Sequence, residues 1–349
     1  MIRFDYDRPA TLAEAVAAGG APGAAYLASG TNLLDLMKGN IVRPGRLVDI
    51  NRLPGLDRIE LLSDGGARIG ALVRNADLAY HAEFARRFPA IAEALLAGAS
   101  AQLRNAASVA GNVLQRTRCL YFYDTASACN KRVPGSGCDA IGGENRLHAI
   151  LGWSDKCIAT QPSDFAVPLV ALDAIVEIEG AGGRREVPLD SFYLLPGETP
   201  ERETVLDHGE LIVALRLPAS AASFAANSRY LKVRERTSYA FAVVSAAVAM
   251  RLDGGRIAEA RIALGSVALK PWRARAAEAA LAGAAPHAAS FRHAADAALA
   301  DAEPSGDNAF KIELARRIIV RALTLAAAGT PDRMPALPAS PFAGVAAYA

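Results

Sequence analysis

The chain has 349 residues, enough for two or three packed units, and its 38 lysines and arginines nearly balance its 36 aspartates and glutamates. This balance argues against a dedicated nucleic-acid-binding protein, which would carry a strongly basic face. The longest apolar runs, such as residues 240–250, are far shorter than the roughly 20 residues of a membrane-spanning helix, so we expect no membrane span. Residues 1–9 mix acidic and basic side chains and precede no apolar stretch, so we expect no export signal on this chain.

Residues 1–56 predict a small α/β unit. Thr11 and Glu14 have the spacing of a capping box ahead of a helical run. The other expected elements are a strand at residues 24–28, a short helix at residues 33–38 and a second strand at residues 46–50.

Residues 57–222 predict a second unit, which a long irregular segment interrupts at about 116–157. The expected strands lie at residues 67–71 and 174–179, and the expected helices lie at residues 76–81, 90–97 and 168–173. The irregular segment is rich in glycine and lacks hydrophobic periodicity, and such long segments inside compact domains are usually functional or disordered. Residues 219–227 are small and predict a linker.

Residues 228–328 predict a third unit, in which antiparallel strands precede helices, so the expected fold class is α+β. Asp253-Gly254-Gly255 predicts a hairpin turn. The expected strands lie at residues 230–234, 242–251 and 257–264, and the expected helices at 271–282, 288–301 and 307–326. The tail, residues 329–349, is rich in alanine and proline and predicts an extended arm or a partly disordered segment.

Two short loops are candidates for binding a diphosphate. Residues 27–34 run from a strand through a turn of small residues into a helix, where backbone N–H groups can point at an anion. An ordinary capped helix would use the same residue types. In residues 108–112, Gly111 allows close approach of the backbone to a ligand. No G-x-G-x-x-G follows a strand, so we expect no Rossmann domain.

Read together, the loops resemble those of a known flavoprotein family. The first reads Ala28-Ser29-Gly30-Thr31-Asn32-Leu33, and the second reads Gln102-Leu103-Arg104-Asn105 followed by Ser108-Val109-Ala110-Gly111-Asn112. Both resemble the FAD-binding subunits of the xanthine dehydrogenase and carbon monoxide dehydrogenase family, which have the PCMH-type fold of vanillyl-alcohol oxidase. The chain departs from the family pattern at Ser29 and Ala110, where glycines are usual. The resemblance covers residues 1 to about 327.

This resemblance implies that the chain binds FAD. The residues expected beside the diphosphate and adenosine are Leu27, Ala28, Ser29, Gly30, Thr31, Asn32, Leu33, Leu34, Ser108, Gly111 and Asn112. Asp164, Ile212 and Lys232 are expected to border the ribityl chain or the isoalloxazine ring. Each of these three also has a purely structural interpretation, as a helix N-cap, a strand core residue and a solvated cation respectively.

The four cysteines, Cys119, Cys129, Cys138 and Cys157, all lie in the irregular segment or at its edge. This clustering indicates joint action, as ligands of zinc, as ligands of an iron–sulfur cluster or as two disulfides. The spacing, C-x9-C-x8-C-x18-C, has neither the paired C-x2-C of structural zinc sites nor a common ferredoxin pattern, so it does not select the metal. Nearby cations would lower the thiol pKa values and offset the charge of a cluster: Arg116, Arg118, Lys131, Arg132 and Lys156.

The cysteine segment resembles one branch of the same family, the flavin subunits of bacterial periplasmic aldehyde oxidoreductases. That resemblance implies a [4Fe–4S] cluster on the four cysteines, with zinc as the alternative. His148 is expected to pack or to form hydrogen bonds near the cysteines and is not assigned as a ligand.

The resemblance also implies an electron-transfer function in a larger assembly. A small subunit would hold two [2Fe–2S] clusters, and a large subunit would bind the molybdenum cofactor and oxidise the substrate. This chain would pass electrons through FAD to an external acceptor, with no catalytic residue beyond the flavin. It would be periplasmic if a partner carries an export signal and cytoplasmic otherwise.

Two other functions are compatible with the sequence. A stand-alone flavin oxidoreductase of the same fold would bind its own substrate and use the cysteines for structural zinc. A zinc-stabilised scaffold would bind no flavin at all.

Overall fold

A computed structural model of the chain describes residues 1–332, so most of the predicted tail, residues 329–349, lies outside the described residues. These residues form a three-stranded, a five-stranded and a four-stranded sheet, together with helices. The predicted α+β class is therefore confirmed. Within residues 1–332, no helix is long and apolar enough to cross a membrane.

The first unit contains the parallel three-stranded sheet. Its elements are β1 (Asp5–Asp7), α1 (Leu12–Gly19), β2 (Ala24–Leu27), α2 (Leu33–Lys38) and β3 (Arg46–Asp49). The strand order is β1-β3-β2. The predicted capping box of α1 is confirmed, because Glu14 N–H donates to Thr11 Oγ1 at 3.2 Å and the Glu14 carboxylate accepts from Thr11 N–H at 3.1 Å.

The second unit combines the five-stranded sheet with most of the helices. Its strands are β4 (Ile59–Leu61), β5 (Ala67–Gly70), β6 (Ile175–Gly180), β7 (Gly183–Pro188) and β8 (Leu211–Leu217). Its helices are α3 (Asn75–Tyr80), α4 (Ala82–Arg87), α5 (Pro89–Ala97), α6 (Ala101–Ala106), α7 (Val109–Val113), α8 (Leu120–Tyr123), α9 (Ala166–Ala171) and α10 (Leu189–Phe192). The strand order is β4-β5-β8-β6-β7, and each neighbouring pair is antiparallel.

The third unit confirms the three predicted antiparallel strands. Its elements are β9 (Ser228–Val233), β10 (Val244–Asp253), β11 (Arg256–Gly265), β12 (Trp272–Arg273), α11 (Arg275–Leu281), α12 (Ala288–Ala298) and α13 (Phe310–Ala327). The strand order is β12-β11-β10-β9. The predicted hairpin turn joins β10 to β11, where Gly254 and Gly255 have φ angles of +52° and +75°. This left-handed backbone is accessible to glycine without strain.

Two predicted elements were wrong. Residues 219–227 are not a linker but a 3-10 helix (Ala219–Asn227), whose Ala221 and Phe224 side chains are buried in the core of the second unit. The helix predicted to begin at residue 271 begins at Arg275, because Trp272 and Arg273 pair with β11 as a short strand.

A buried ion pair joins the second and third units. Arg229 Nε lies 3.0 Å from Glu93 Oε1, and each side chain is 9% exposed. The other carboxylate oxygen of Glu93 accepts from Tyr230 N–H at 2.7 Å. Burial raises the pKa of Glu93, and the neighbouring Arg229 charge opposes that shift. The pair therefore attaches α5 to β9.

We expect Glu93→Gln to lower the free energy of unfolding by about 3 kcal/mol, because removing one partner leaves a buried charge uncompensated. Urea unfolding at fixed protein and FAD concentrations measures this change. The matched control is Glu83→Gln, since Glu83 pairs with Arg87 at 2.7 Å but its side chain is 48% exposed. The control should change stability by less than about 1 kcal/mol. Equal destabilisation by the two variants would contradict the prediction.

Candidate functional site

A cleft of about 590 Å³ lies where the three units meet, and we call it the central cleft. The predicted site residues that line it are Thr31, Asn32, Asn112, Asp164 and Lys232. Its volume is typical of pockets that bind cofactors and other small molecules. The structure thus brings residues of both predicted loops to one cavity with Asp164 and Lys232.

The first loop depends on a glycine. Gly30 has a φ angle of +79°, and a Cβ atom there would lie 2.6 Å from Leu34 Cδ1. Leu33 and Leu34 already belong to α2. The turn is also held from outside, because Asn51 Nδ2 donates to the Ala28 carbonyl at 2.9 Å. A side chain at position 30 would therefore strain the backbone and force the Leu34 side chain to move.

Asn32 connects the two predicted loops. Its Nδ2 donates to the Gly111 carbonyl at 3.1 Å, and its Oδ1 accepts from Arg118 Nη2 at 2.7 Å. Arg118 belongs to the cysteine segment. One side chain of the first loop therefore fixes the positions of the second loop and of that segment.

The second loop is capped and anchored by its own polar residues. Ser108 is the N-cap of α7 and accepts from Gly111 N–H at 3.3 Å. Asn112 Oδ1 accepts from Gln115 Nε2 at 2.7 Å and from Ser163 Oγ at 2.8 Å. The second of these bonds fixes the loop to the residue that precedes Asp164.

Asp164 and Lys232 form a buried ion pair in the cleft. The Lys232 ammonium lies 2.7 Å from Asp164 Oδ2, and the two side chains are 4% and 8% exposed. Tyr230 Oη donates to Asp164 Oδ1 at 2.5 Å, and burial together with the Asp164 charge raises the pKa of Tyr230. Phe165, not Asp164, is the N-cap of α9, so the helix-cap interpretation of Asp164 was wrong. The solvated-cation interpretation of Lys232 was also wrong.

Ile212 lies elsewhere. It is 1% exposed, is the second residue of β8, and packs in the core of the second unit. The structure does not bring it to the central cleft, and its contact with a flavin stays a prediction.

Among the other residues that line the cleft, four have a buried polar side-chain atom without a hydrogen-bond partner. These atoms are Asn75 Oδ1, Arg104 Nε, Arg118 Nε and His148 Nδ1. An unpaired buried polar atom is costly, so a ligand with many polar groups would stabilise this arrangement. Apolar side chains such as Leu95, Leu103 and Phe241 line the rest, which suits a flat ring, and the residues present therefore fit FAD.

The four residues differ in how well the sequence marks them. Arg104 lies inside the second loop motif, and Arg118 and His148 flank the cysteines. Asn75 begins α3 and has no such motif around it.

All four cysteines line one small cavity beside the central cleft, together with the buried side chain of Lys131. Cys119 lines both cavities. The four thiols are free, so the disulfide interpretation was wrong. Within residues 1–332, no group of three or more His, Cys, Asp or Glu side chains is arranged to hold a metal ion.

Burial dominates the electrostatics of these thiols. It raises the pKa of Cys119 to about 12 and also raises the pKa of Cys157, where the nearby Lys131 charge acts in the opposite direction. Lys131 Nζ donates to the Pro200 carbonyl at 2.6 Å and lies 3.5 Å from Glu203 Oε1. Without a metal the Cys119 and Cys157 thiols are therefore neutral near pH 7, and metal binding would displace their protons.

His148 contacts a cysteine directly. Its Nε2 lies 3.2 Å from Cys119 Sγ. Its backbone carbonyl accepts from Asn308 Nδ2 at 3.1 Å and from Lys311 Nζ at 2.7 Å. Burial lowers the pKa of His148, so the imidazole is neutral near pH 7. The prediction that His148 forms hydrogen bonds near the cysteines is confirmed.

Two family matches cover most of the chain. Residues 2–220 match the FAD binding domain in molybdopterin dehydrogenase. Residues 229–326 match the CO dehydrogenase flavoprotein C-terminal domain.

Similarity to individual proteins extends over nearly the whole chain. The aldehyde oxidoreductase FAD-binding subunit PaoB of Escherichia coli K12 is 51% identical, over 94% of this chain and 99% of that protein. The carbon monoxide dehydrogenase medium chain of Hydrogenophaga pseudoflava is 31% identical, over 93% and 97% respectively. The solved carbon monoxide dehydrogenase from H. pseudoflava has a TM-score of 0.73 at 32% identity, covering 94% of this chain and 99% of that one. The chain therefore belongs to the FAD-binding medium subunits of the xanthine dehydrogenase and carbon monoxide dehydrogenase family.

Proposed function

We propose that this chain is the electron-transferring flavin subunit of a molybdenum-containing aldehyde oxidoreductase, with FAD in the central cleft and a [4Fe–4S] cluster on the four cysteines. The observation that carries the proposal is the position of Cys119, which lines both the cleft and the cysteine cavity. Two candidate cofactor sites that share a residue are suited to electron transfer. When bound, FAD supplies the ability to accept and release electrons singly or in pairs.

The residues of the cleft divide into two groups by chemistry. The two loops, joined through Asn32, offer backbone N–H groups and small side chains to the diphosphate. The buried Lys232 ammonium would stabilise the negative charge of a reduced flavin, and Asp164 holds that ammonium in place.

A cluster and a zinc ion would need different arrangements of the four cysteines. Four thiolates on one zinc ion each lie about 2.3 Å from the metal, which draws the sulfur atoms into one compact group. In a [4Fe–4S] cluster each thiolate binds a different iron, so the sulfur atoms lie further apart. All four cysteines line one cavity, which would supply one thiolate for each iron of a cluster, and we propose the cluster on this ground and on the resemblance of the segment. The buried Lys131 would offset its negative charge.

The names of the relatives support the proposal that this chain assembles with partner subunits. The 51% identical relative is named as the FAD-binding subunit of an aldehyde oxidoreductase, and the 31% identical one as a medium chain. We therefore propose a small subunit with two [2Fe–2S] clusters that donates electrons and a large subunit whose molybdenum cofactor oxidises the aldehyde. An external acceptor would take electrons from this chain, and a partner with an export signal would carry it to the periplasm.

Gly30→Ala should weaken FAD binding at least tenfold, because the new Cβ would displace the Leu34 side chain at the start of α2. Titration of the FAD-free chain, followed by flavin fluorescence, measures the affinity. Gly55→Ala is the matched control, since Gly55 has a φ angle of +77° but no atom within 4 Å of the new Cβ. Equal affinity of the two variants for FAD would contradict the assignment of this loop.

The anaerobically purified chain should contain about four irons, four sulfides and one FAD. Cys129→Ser should lose most of the iron and retain FAD, because it removes one cluster ligand and leaves the loops intact. Val133→Ala, at an exposed position of the same segment, should retain both. Stoichiometric zinc without iron would refute the cluster and leave the flavin assignment standing.

An aldehyde should reduce the flavin only when the small and large subunits are present. Anaerobic absorbance at the flavin band, with and without the partners, tests this. Bleaching of the isolated chain by an aldehyde would instead support a stand-alone flavin oxidoreductase.

A further inference from the structure

His148 lies between the two candidate cofactor sites. It lines the central cleft, and its Nε2 is 3.2 Å from Cys119 Sγ in the cysteine cavity. We propose that His148 is a positioning residue that donates an Nε2–H hydrogen bond to the cluster thiolate of Cys119 and thereby raises the reduction potential of the cluster. This inference rests on the proposed function, because it assumes a [4Fe–4S] cluster on the four cysteines.

The position of the imidazole is fixed by the third unit. Asn308 and Lys311 are both 0% exposed, and both donate to the His148 carbonyl. Lys311 Nζ also donates to the carbonyls of Leu147 and Ser266, at 3.0 and 2.7 Å. The backbone at His148 is therefore held by hydrogen bonds from two buried side chains of the third unit.

The chemistry of the contact determines the tautomer. A thiolate only accepts hydrogen bonds, and a neutral imidazole has one N–H, so Nε2 must carry the proton when the cluster is bound. Nδ1 is then an acceptor, and it is buried without a partner in the chain. Since His148 lines the cleft, this acceptor suits a donor of the flavin, such as a ribityl hydroxyl.

The sign of the effect follows from charge. Reduction adds an electron to the cluster and makes its thiolates better acceptors. An N–H donor therefore stabilises the reduced form more than the oxidised form, and this raises the potential. The Lys131 charge acts on Cys157, whereas His148 contacts Cys119, so Lys131 and His148 act on different cysteine ligands of the cluster.

The test compares His148→Leu with His148→Gln in the full chain loaded with FAD and the cluster. Gln retains an N–H donor, whereas Leu retains only bulk. In redox titrations followed by electron paramagnetic resonance, Leu should lower the equilibrium constant for cluster reduction about tenfold, or ~59 mV, and Gln by less than about threefold. His208→Leu is the control, because His208 is exposed and bonds to the Ala21 carbonyl.

A second measurement requires no variant. In chain labelled with 15N-histidine, pulsed electron paramagnetic resonance of the reduced cluster should detect coupling to one imidazole nitrogen. If the His148→Leu variant fails to assemble the cluster, this measurement alone decides whether His148 forms a hydrogen bond to the cluster thiolate. An unchanged potential in fully loaded His148→Leu, or no nitrogen coupling in the labelled chain, would overturn the inference while the cluster stands. Purified chain without iron would overturn the cluster and the inference together.

Discussion

The buried ion pair between Asp164 and Lys232 links the second unit to the third, and both residues line the central cleft. Burying two charges costs several kcal/mol for each ion, so the pair is tolerable only with close contact and further hydrogen bonds. Both conditions hold here, because the atoms lie 2.7 Å apart and Tyr230 and the Ala97 carbonyl complete the network.

The cysteine segment is part of the cleft wall, although in the sequence it looks like an independent insertion. Arg118 donates to Asn32 of the first loop and stacks on Phe241 of the third unit, with its guanidinium carbon 4.9 Å from the ring centroid. Lys311 of α13 holds the other end of the segment by donating to backbone carbonyls. The segment is thus attached to the first and third units at once, so a change in its structure must alter the cleft.

The features that could be predicted from the sequence are those that depend on interactions between residues close together in the chain. The capping box at Thr11 and Glu14 and the hairpin turn at Gly254 and Gly255 involve residues that are adjacent or three apart, and both are confirmed. The loop motifs also predicted a shared site, because the family resemblance supplies distant pairings that periodicity does not. By contrast, the burial of Phe224 depends on packing against strands that are distant in the sequence. The small residues around Phe224 predicted a linker because they carry no sign of that packing. Likewise, Asn308 contacts His148 from 160 positions away, and no local pattern marks it.

Burial of the cysteines would couple binding of the proposed cluster to folding. A buried thiol whose pKa is raised from 9.0 to about 12, as at Cys119, binds a proton in the folded chain that the unfolded chain releases above about pH 9. The cluster-free chain therefore loses stability as the pH rises from 9 towards 12. Binding of the proposed cluster would remove the same protons at neutral pH, and the metal and Lys131 would then offset the thiolate charge. Because Cys119 also lines the central cleft, binding of the proposed cluster would also hold part of the cleft wall in place.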